Sequence, residues 1–240
     1  MPIVMPSQGP FIRLRGVVRH GAAIATSPLL VGALLAQTIS GDAAYERVVT
    51  AWAAQSTLEA KFDQRITNPI LGRTVTSRGV FLQQRPGRIA VTFSDPVGDR
   101  IVSDGKHLWV YLPSSTPGQV LKLSADADGA MVPDLLGALF EAPRRTFTIS
   151  GGEPATIEGR KTRRVVLVPR VAANVPFQRA TVWIDDQDPR PVRVQLLDEQ
   201  GVERTITLTS WSPNAALPVN AFTFIPPKGV KVVTKIPGSK

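Results

Sequence analysis

The chain contains no cysteine. That excludes a disulfide scaffold, a thiolate metal site, a cysteine nucleophile and a lipid anchor on cysteine. Its only histidines are His20 and His107, too few for an easy Ser-His-Asp triad or a His-rich zinc site. Neither G-x-S-x-G nor H-E-x-x-H occurs. In the segment Gly98–Lys106 the glycines are misspaced for a phosphate loop, and His107 stands where Ser or Thr belongs. Asp185, Asp186 and Asp188 are acidic neighbours, but the glycine and closing glutamate of a calcium loop are missing, and the cluster reads as a solvated turn. Aromatic residues are only 6 % of the chain, and none interleaves the basic run Arg160, Lys161, Arg163 and Arg164, which argues against nucleic acid. The expected protein has no catalytic residue, no metal and no cofactor.

What is present suits one ordinary domain with a real core: 240 residues, 43 % of them hydrophobic and 20 % charged. Proline (21) and glycine (19) are frequent enough to imply many turns and short strands. The formal charge of +9 is spread along the chain rather than gathered in one tract.

The N-terminus reads as a secretory signal. Arg13, Arg15 and Arg19 form a basic region, and no acid or base then occurs from Gly21 to Gly41. An apolar segment ends in a small residue, Ala36, with cleavage expected after it and a mature chain beginning near Gln37. The strongly apolar part, Leu29 to Ala36, is far shorter than the about 20 residues of a spanning helix. Residues 1–36 are thus expected to be a signal peptide, and residues 42–240 a single domain exported to an oxidising envelope such as the periplasm.

The expected mature chain is one helix followed by strands. Tyr45, Val48, Val49 and Trp52 recur at spacings of three and four, which predicts an amphipathic helix over Asp42–Gln55 with Asp42 as N-cap. The period then becomes two. Leu58, Ala60, Phe62 and Ile66 alternate with Glu59, Lys61, Asp63 and Arg65, so this strand has a dry and a wet face. GVFLQQ and RIAVTF follow, the latter placing Ile89, Val91 and Phe93 together. Asp104-Gly105 and Asp198–Gly201 each read as a hairpin turn. Roughly ten short strands joined in this way predict one antiparallel sheet, curved or partly closed. Trp109 and Tyr111 oppose Leu108, Val110 and Leu112 on one strand, and periodicity leaves open which set faces inward. A second helix is expected over Met131–Glu141, where Val132, Leu135, Leu136, Leu139 and Phe140 make a broad apolar stripe. Pro133 suits its first turn and Pro143 its end. Such a helix serves equally as a plug in an ordinary core or as a lid over a cavity.

Three segments fall in a characteristic order. FLQQRPGRIAVTFSDP holds Arg85-Pro86, a strand and Pro96; IVSDGKHLWVYLP is a hairpin with an aromatic second strand; FTFIPPKGVKV holds Phe222, Phe224, Pro226, Pro227, Gly229 and Val230. Together with the opening helix and Phe62-Asp63-Gln64, they resemble the LolA family of periplasmic lipoprotein carriers over about residues 42–232. The resemblance implies a mainly β fold with some α: an unclosed antiparallel β-barrel, or half-barrel, capped by helices around an apolar cavity for acyl chains. It implies acylated lipoproteins as cargo, an inner-membrane lipoprotein-releasing ABC transporter as donor and an outer-membrane acceptor lipoprotein as recipient. It further implies a periplasmic monomer that shuttles cargo between the two membranes.

Phe81, Gln83 and Arg85 share a face by strand parity, and in the family that face lines the cavity. The resemblance implies that Arg85 latches the helical lid, with backbone carbonyls of the Met131–Glu141 helix as candidate acceptors. Expected cavity-lining residues are Leu58, Ala60, Phe62, Phe81, Ile89, Val91 and Phe93 from the strands, with Leu135, Leu136, Leu139 and Phe140 from the lid. Phe222 and Phe224 are expected to close the fold rather than touch ligand. The alternative is a related non-enzymatic module of the same fold that binds another lipid or senses envelope stress.

Overall fold

A computed structural model describes residues 39–124, 134–141, 146–171 and 175–234. The expected signal peptide, Val132, Pro133 and Pro143 lie outside the described residues.

The first helix, α1, spans Gly41–Ala53. Its N-cap is Ser40 rather than the expected Asp42, because the Ser40 hydroxyl accepts from the Ala43 amide at 3.2 Å. Asp42 instead sits in the first turn, where its charge favours the positive end of the helix dipole. The buried stripe of Ala44, Tyr45, Val48 and Trp52 fastens α1 to the sheet.

Six strands follow: β1 (Thr57–Asn68), β2 (Arg73–Gln84), β3 (Arg88–Asp95), β4 (Val97–Asp104), β5 (His107–Tyr111) and β6 (Gln119–Ser124). The short helix α2 spans Leu135–Phe140, and then come β7 (Phe147–Ile157), β8 (Arg160–Pro169), β9 (Arg179–Asp185), β10 (Pro191–Leu197), β11 (Glu203–Pro213) and β12 (Lys231–Thr234). All twelve belong to one sheet, ordered β12-β6-β5-β4-β3-β2-β1-β11-β10-β9-β8-β7. Its described pairs are antiparallel except β12 with β6, which is parallel and was not foreseen from the pattern. Among the described residues the two ends of the order do not pair, so the sheet is an open half-barrel.

Curvature arises where the register shifts. Bulges fall at Lys61/Phe62 in β1, Arg78/Gly79 in β2 and Gly151/Glu153 in β7. The last also admits α1: a Cβ on Gly41 would lie 2.9 Å from the Gly151 carbonyl carbon, so helix and bulge meet backbone to backbone. The β4–β5 hairpin turns at Gly105, with φ 92°, while Asp104 accepts the amides of Lys106 and His107.

The concave face carries the main core, closed by α1 and α2. On the other face the C-terminal segment lays Phe222 over Ala90 and Val102, with Leu82 alongside. Trp109 and Tyr111 meet Phe224 with ring centroids 5.5 and 5.8 Å away. This assigns both rings to the outer face, since Trp109 stands opposite Val102 in the ladder.

The acidic cluster is a solvated turn only at Asp188, which is exposed; Asp185 and Asp186 are paired and largely buried. Asp185 is 3 % exposed, takes Arg160 Nη1 at 2.9 Å and accepts the Gln187 and Asp188 amides. Burial opposes its ionisation, but those partners outweigh it and hold the carboxyl below its usual range. Arg163 Nε lies 3.0 Å from Asp186 Oδ1. Two members of the basic run are therefore tied to this turn.

Candidate functional site

A cavity of about 250 Å³ opens between the concave face and α2. Its floor follows from strand parity. On β1, Phe62, Gln64 and Ile66 point inward; opposite them in the ladder, β11 contributes Leu208, Ile206 and Arg204. Phe81, Val91, Phe93 and Ile101 extend the wall across β2, β3 and β4, and Leu135 and Leu136 form the roof. Phe62 and Phe93 meet edge to face at 5.7 Å. Gly79 makes room for this pair, since a Cβ there would lie 3.1 Å from Phe62 Cζ.

Six expected lining residues therefore stand at the cavity: Phe62, Phe81, Val91, Phe93, Leu135 and Leu136. Leu58, Ala60, Ile89, Leu139 and Phe140 do not line it. They are at most 2 % exposed and fill the core at the α1 end of the sheet. Strand parity groups Leu58 and Ala60 with Phe62, and Ile89 with Val91, but it does not say where along each strand packing gives way to space. Leu112, Val194, Ile206 and Leu208 also line the cavity and were not anticipated; their alternation within apolar strands was the available signal.

Of the expected Met131–Glu141 helix, α2 is described over Leu135–Phe140. It begins where the Asp134 carboxylate accepts the Gly137 amide at 2.6 Å and ends at Glu141. Four side chains secure it. Tyr45 on α1 donates its hydroxyl to the Leu139 carbonyl at 2.7 Å. Trp52 Nε1 donates to Glu141 Oε1 at 3.3 Å. Gln83 Nε2 donates to Asp134 Oδ2. Arg85, just past β2, places Nε 2.9 Å from Glu141 Oε1, and its guanidinium lies 5.0 Å from the centroid of Trp52.

The Arg85 partner is thus a carboxylate at the end of α2 rather than the backbone carbonyls considered from the sequence. The contact is an ion pair without hydrogen-bond alignment: Nε and Nη2 are buried with no hydrogen-bond acceptor among the described residues. Glu141, Trp52, Tyr45 and Asp134 were missed because residues far apart in sequence meet only once α1 and α2 dock.

Asp134 is electrostatically exposed to this cluster. Burial pushes its carboxyl up to about 6; the Gly137 amide opposes the shift, Glu141 adds to it, and Arg85 and Gln83 oppose it. Because the neutral form is favoured in the folded state, the folded chain holds more protons than the unfolded one between about pH 4 and 6. Stability must then fall as pH rises through that window, by at most about 3 kcal/mol. Asp134→Asn is expected to remove this dependence. In thermal melts the variant should gain on the wild type as pH rises toward 6 and hold a constant difference above 7. A difference independent of pH would refute the assignment.

Among the described residues, no helix is long and apolar enough to cross a membrane. Comparison with known proteins gives a consistent picture. An outer-membrane lipoprotein carrier protein of Chromobacterium violaceum is 29 % identical over 211 residues, covering 86 % of this chain and 97 % of its own. One from Bordetella pertussis is 28 % identical over 212 residues, covering 88 % and 96 %. The crystal structure of an uncharacterized conserved protein from Thermus thermophilus superposes with a TM-score of 0.50 at 15 % identity, covering 81 % of this chain and 98 % of that one, a likeness of fold alone. The family model described as outer membrane lipoprotein carrier protein LolA matches residues 53–225, from the end of α1 through the strands of the cavity to the segment packed on the outer face; the chain belongs to the LolA family.

Proposed function

We propose that this protein is a non-enzymatic periplasmic carrier. It takes the acyl chains of lipoproteins into the cavity and shuttles them from the inner to the outer membrane. The observation that carries this reading is the apolar cavity, roofed by a helix whose only described ties to the rest of the fold are side-chain contacts and packing. Lipid shielding needs an apolar surface that the protein's own side chains leave unfilled. Each methylene removed from water contributes roughly 0.8 kcal/mol, so acyl chains supply the driving force without a reacting group. Membership of the carrier family supports the same cargo, with an inner-membrane ABC transporter as donor and an outer-membrane lipoprotein as acceptor. The chain acts as a monomer, exported by the segment 1–36.

The purified protein is expected to bind an apolar fluorescent probe and to release it to an acylated peptide but not to the same peptide without its acyl chain. Equal competition by both would indicate a peptide-binding module instead.

A further inference from the structure

One cationic side chain stands apart from the others. Arg85, Arg160, Arg163 and Arg193 each face a carboxylate. Arg204 lines the apolar cavity and makes no hydrogen bond or ion pair among the described residues. Its neighbours across the ladders are Ile66 on β1 and Leu196 on β10. Burial lowers its pKa from the ordinary value. Only the field of Asp198 offsets this, and that carboxylate already accepts the Gln200 and Val202 amides at 2.9 and 2.8 Å.

A guanidinium against hydrocarbon is costly unless something compensates it. Arg204 is only half-buried where it lines the cavity, and none of its nitrogens is sealed off without a partner. Its fork of five donors matches a carboxylate or phosphate. Position supplies the other half of the argument. Phe62, beneath the roof, and Ile66, beside Arg204, are four residues apart on β1, about 13 Å along the strand. Gln64 lies between them, and its amide donates to Ser77 Oγ at 2.9 Å. The cavity is therefore apolar beneath α2 and becomes polar, then cationic, toward the β1–β2 turn.

We infer that Arg204 is an anion-recognising group at one end of the acyl cavity, so that the preferred ligand is a chain whose head carries a carboxylate or phosphate close to the first methylenes. This rests on the acyl-binding reading above and adds to it the charge and orientation of the ligand: chain beneath α2, head at Arg204.

The test is displacement of N-phenyl-1-naphthylamine from the full chain by dodecanol, laurate and dodecyl phosphate, with inorganic phosphate as an anion that has no chain. One or both of the anionic amphiphiles should compete at concentrations roughly tenfold to a hundredfold below dodecanol. Laurate against dodecyl phosphate tells which head is read. Arg204→Leu should erase the preference, so that laurate and dodecyl phosphate compete no better than dodecanol, and Arg204→Lys should keep its sign at smaller size; thermal melts establish that both variants fold. Equal competition by all three chains in the wild type, or equal weakening of all three in the leucine variant, would overturn the inference while leaving the acyl cavity standing. Failure of every chain to displace the probe would overturn the cavity reading and this inference with it. Inorganic phosphate acting alone, without laurate, would make Arg204 a site for a free anion and overturn its coupling to an acyl chain.

Discussion

Arg85→Leu is expected to fold, to accept an acyl chain at least as tightly as the wild type, and to pass it on poorly to an acceptor. Arg85 bridges Glu141 at the end of α2 and Trp52 on α1. On the proposed latch role, incoming ligand must lift this contact, and its re-formation helps expel the ligand. The geometry also bounds the effect. The Glu141 side chain is 47 % exposed, so solvent screens the ion pair to about 1 kcal/mol or less. A cation over a partly desolvated indole adds up to about 2 kcal/mol. Together these shift the balance between open and closed states by roughly tenfold to a hundredfold. Aligned hydrogen bonds to lid carbonyls would have supported a larger shift, but Nε and Nη2 have no such acceptors among the described residues. Cargo retained after incubation with acceptor membranes measures the outcome. A folded variant that lost cargo binding would make Arg85 a ligand contact and end the latch mechanism.

Trp52→Ala is expected to be the most damaging single change near the lid. The side chain is 2 % exposed and lies where α1, α2 and the sheet converge. Its ring meets Phe140 at 5.6 Å and Trp211 at 6.1 Å, lies under Arg85, and donates to Glu141. Truncating a buried aromatic costs about 3–5 kcal/mol because the cavity left behind does not fully collapse. For a chain of this size that lowers the melting temperature by roughly 6–20 °C. Trp109 provides the comparison. It lies on the outer face between Phe224 and Lys122. Trp109→Ala should destabilise less and leave ligand displacement unchanged. Calorimetry on both variants decides the matter: a loss below about 1 kcal/mol for Trp52→Ala would remove Trp52 from the centre of the lid contact.

The elements were legible where one residue's neighbours in sequence are also its neighbours in space. The α1 stripe is one case, and the alternation of β1 is another. The β10–β11 turn was equally visible, because Gly201 adopts φ 76° and Asp198 caps the turn with its own side chain. Extended pieces without a clean period were not. β7 runs through Gly151, Gly152 and Pro154, residue types depleted in strands, yet its ladder with β8 continues to Ile157. β12 is four residues long and exists only because β6 lies beside it.

The sequence by itself determined which residues share a strand face, the amphipathic helices, the hairpin turns and the family resemblance, because periods of 2 and 3.6 and left-handed turn positions are local properties. It also determined that no thiol and hardly any imidazole chemistry is available. Tertiary structure alone decided which members of an apolar face fill space and which border it. Ala60 and Phe62 have the same parity on β1, yet Phe62 borders the cavity while Ala60 is fully buried in the core. It likewise decided that Arg85 meets Glu141 while the Arg204 side chain makes no hydrogen bond or ion pair among the described residues. Charge pairing depends on which distant strands and helices converge, and no local pattern carries that information.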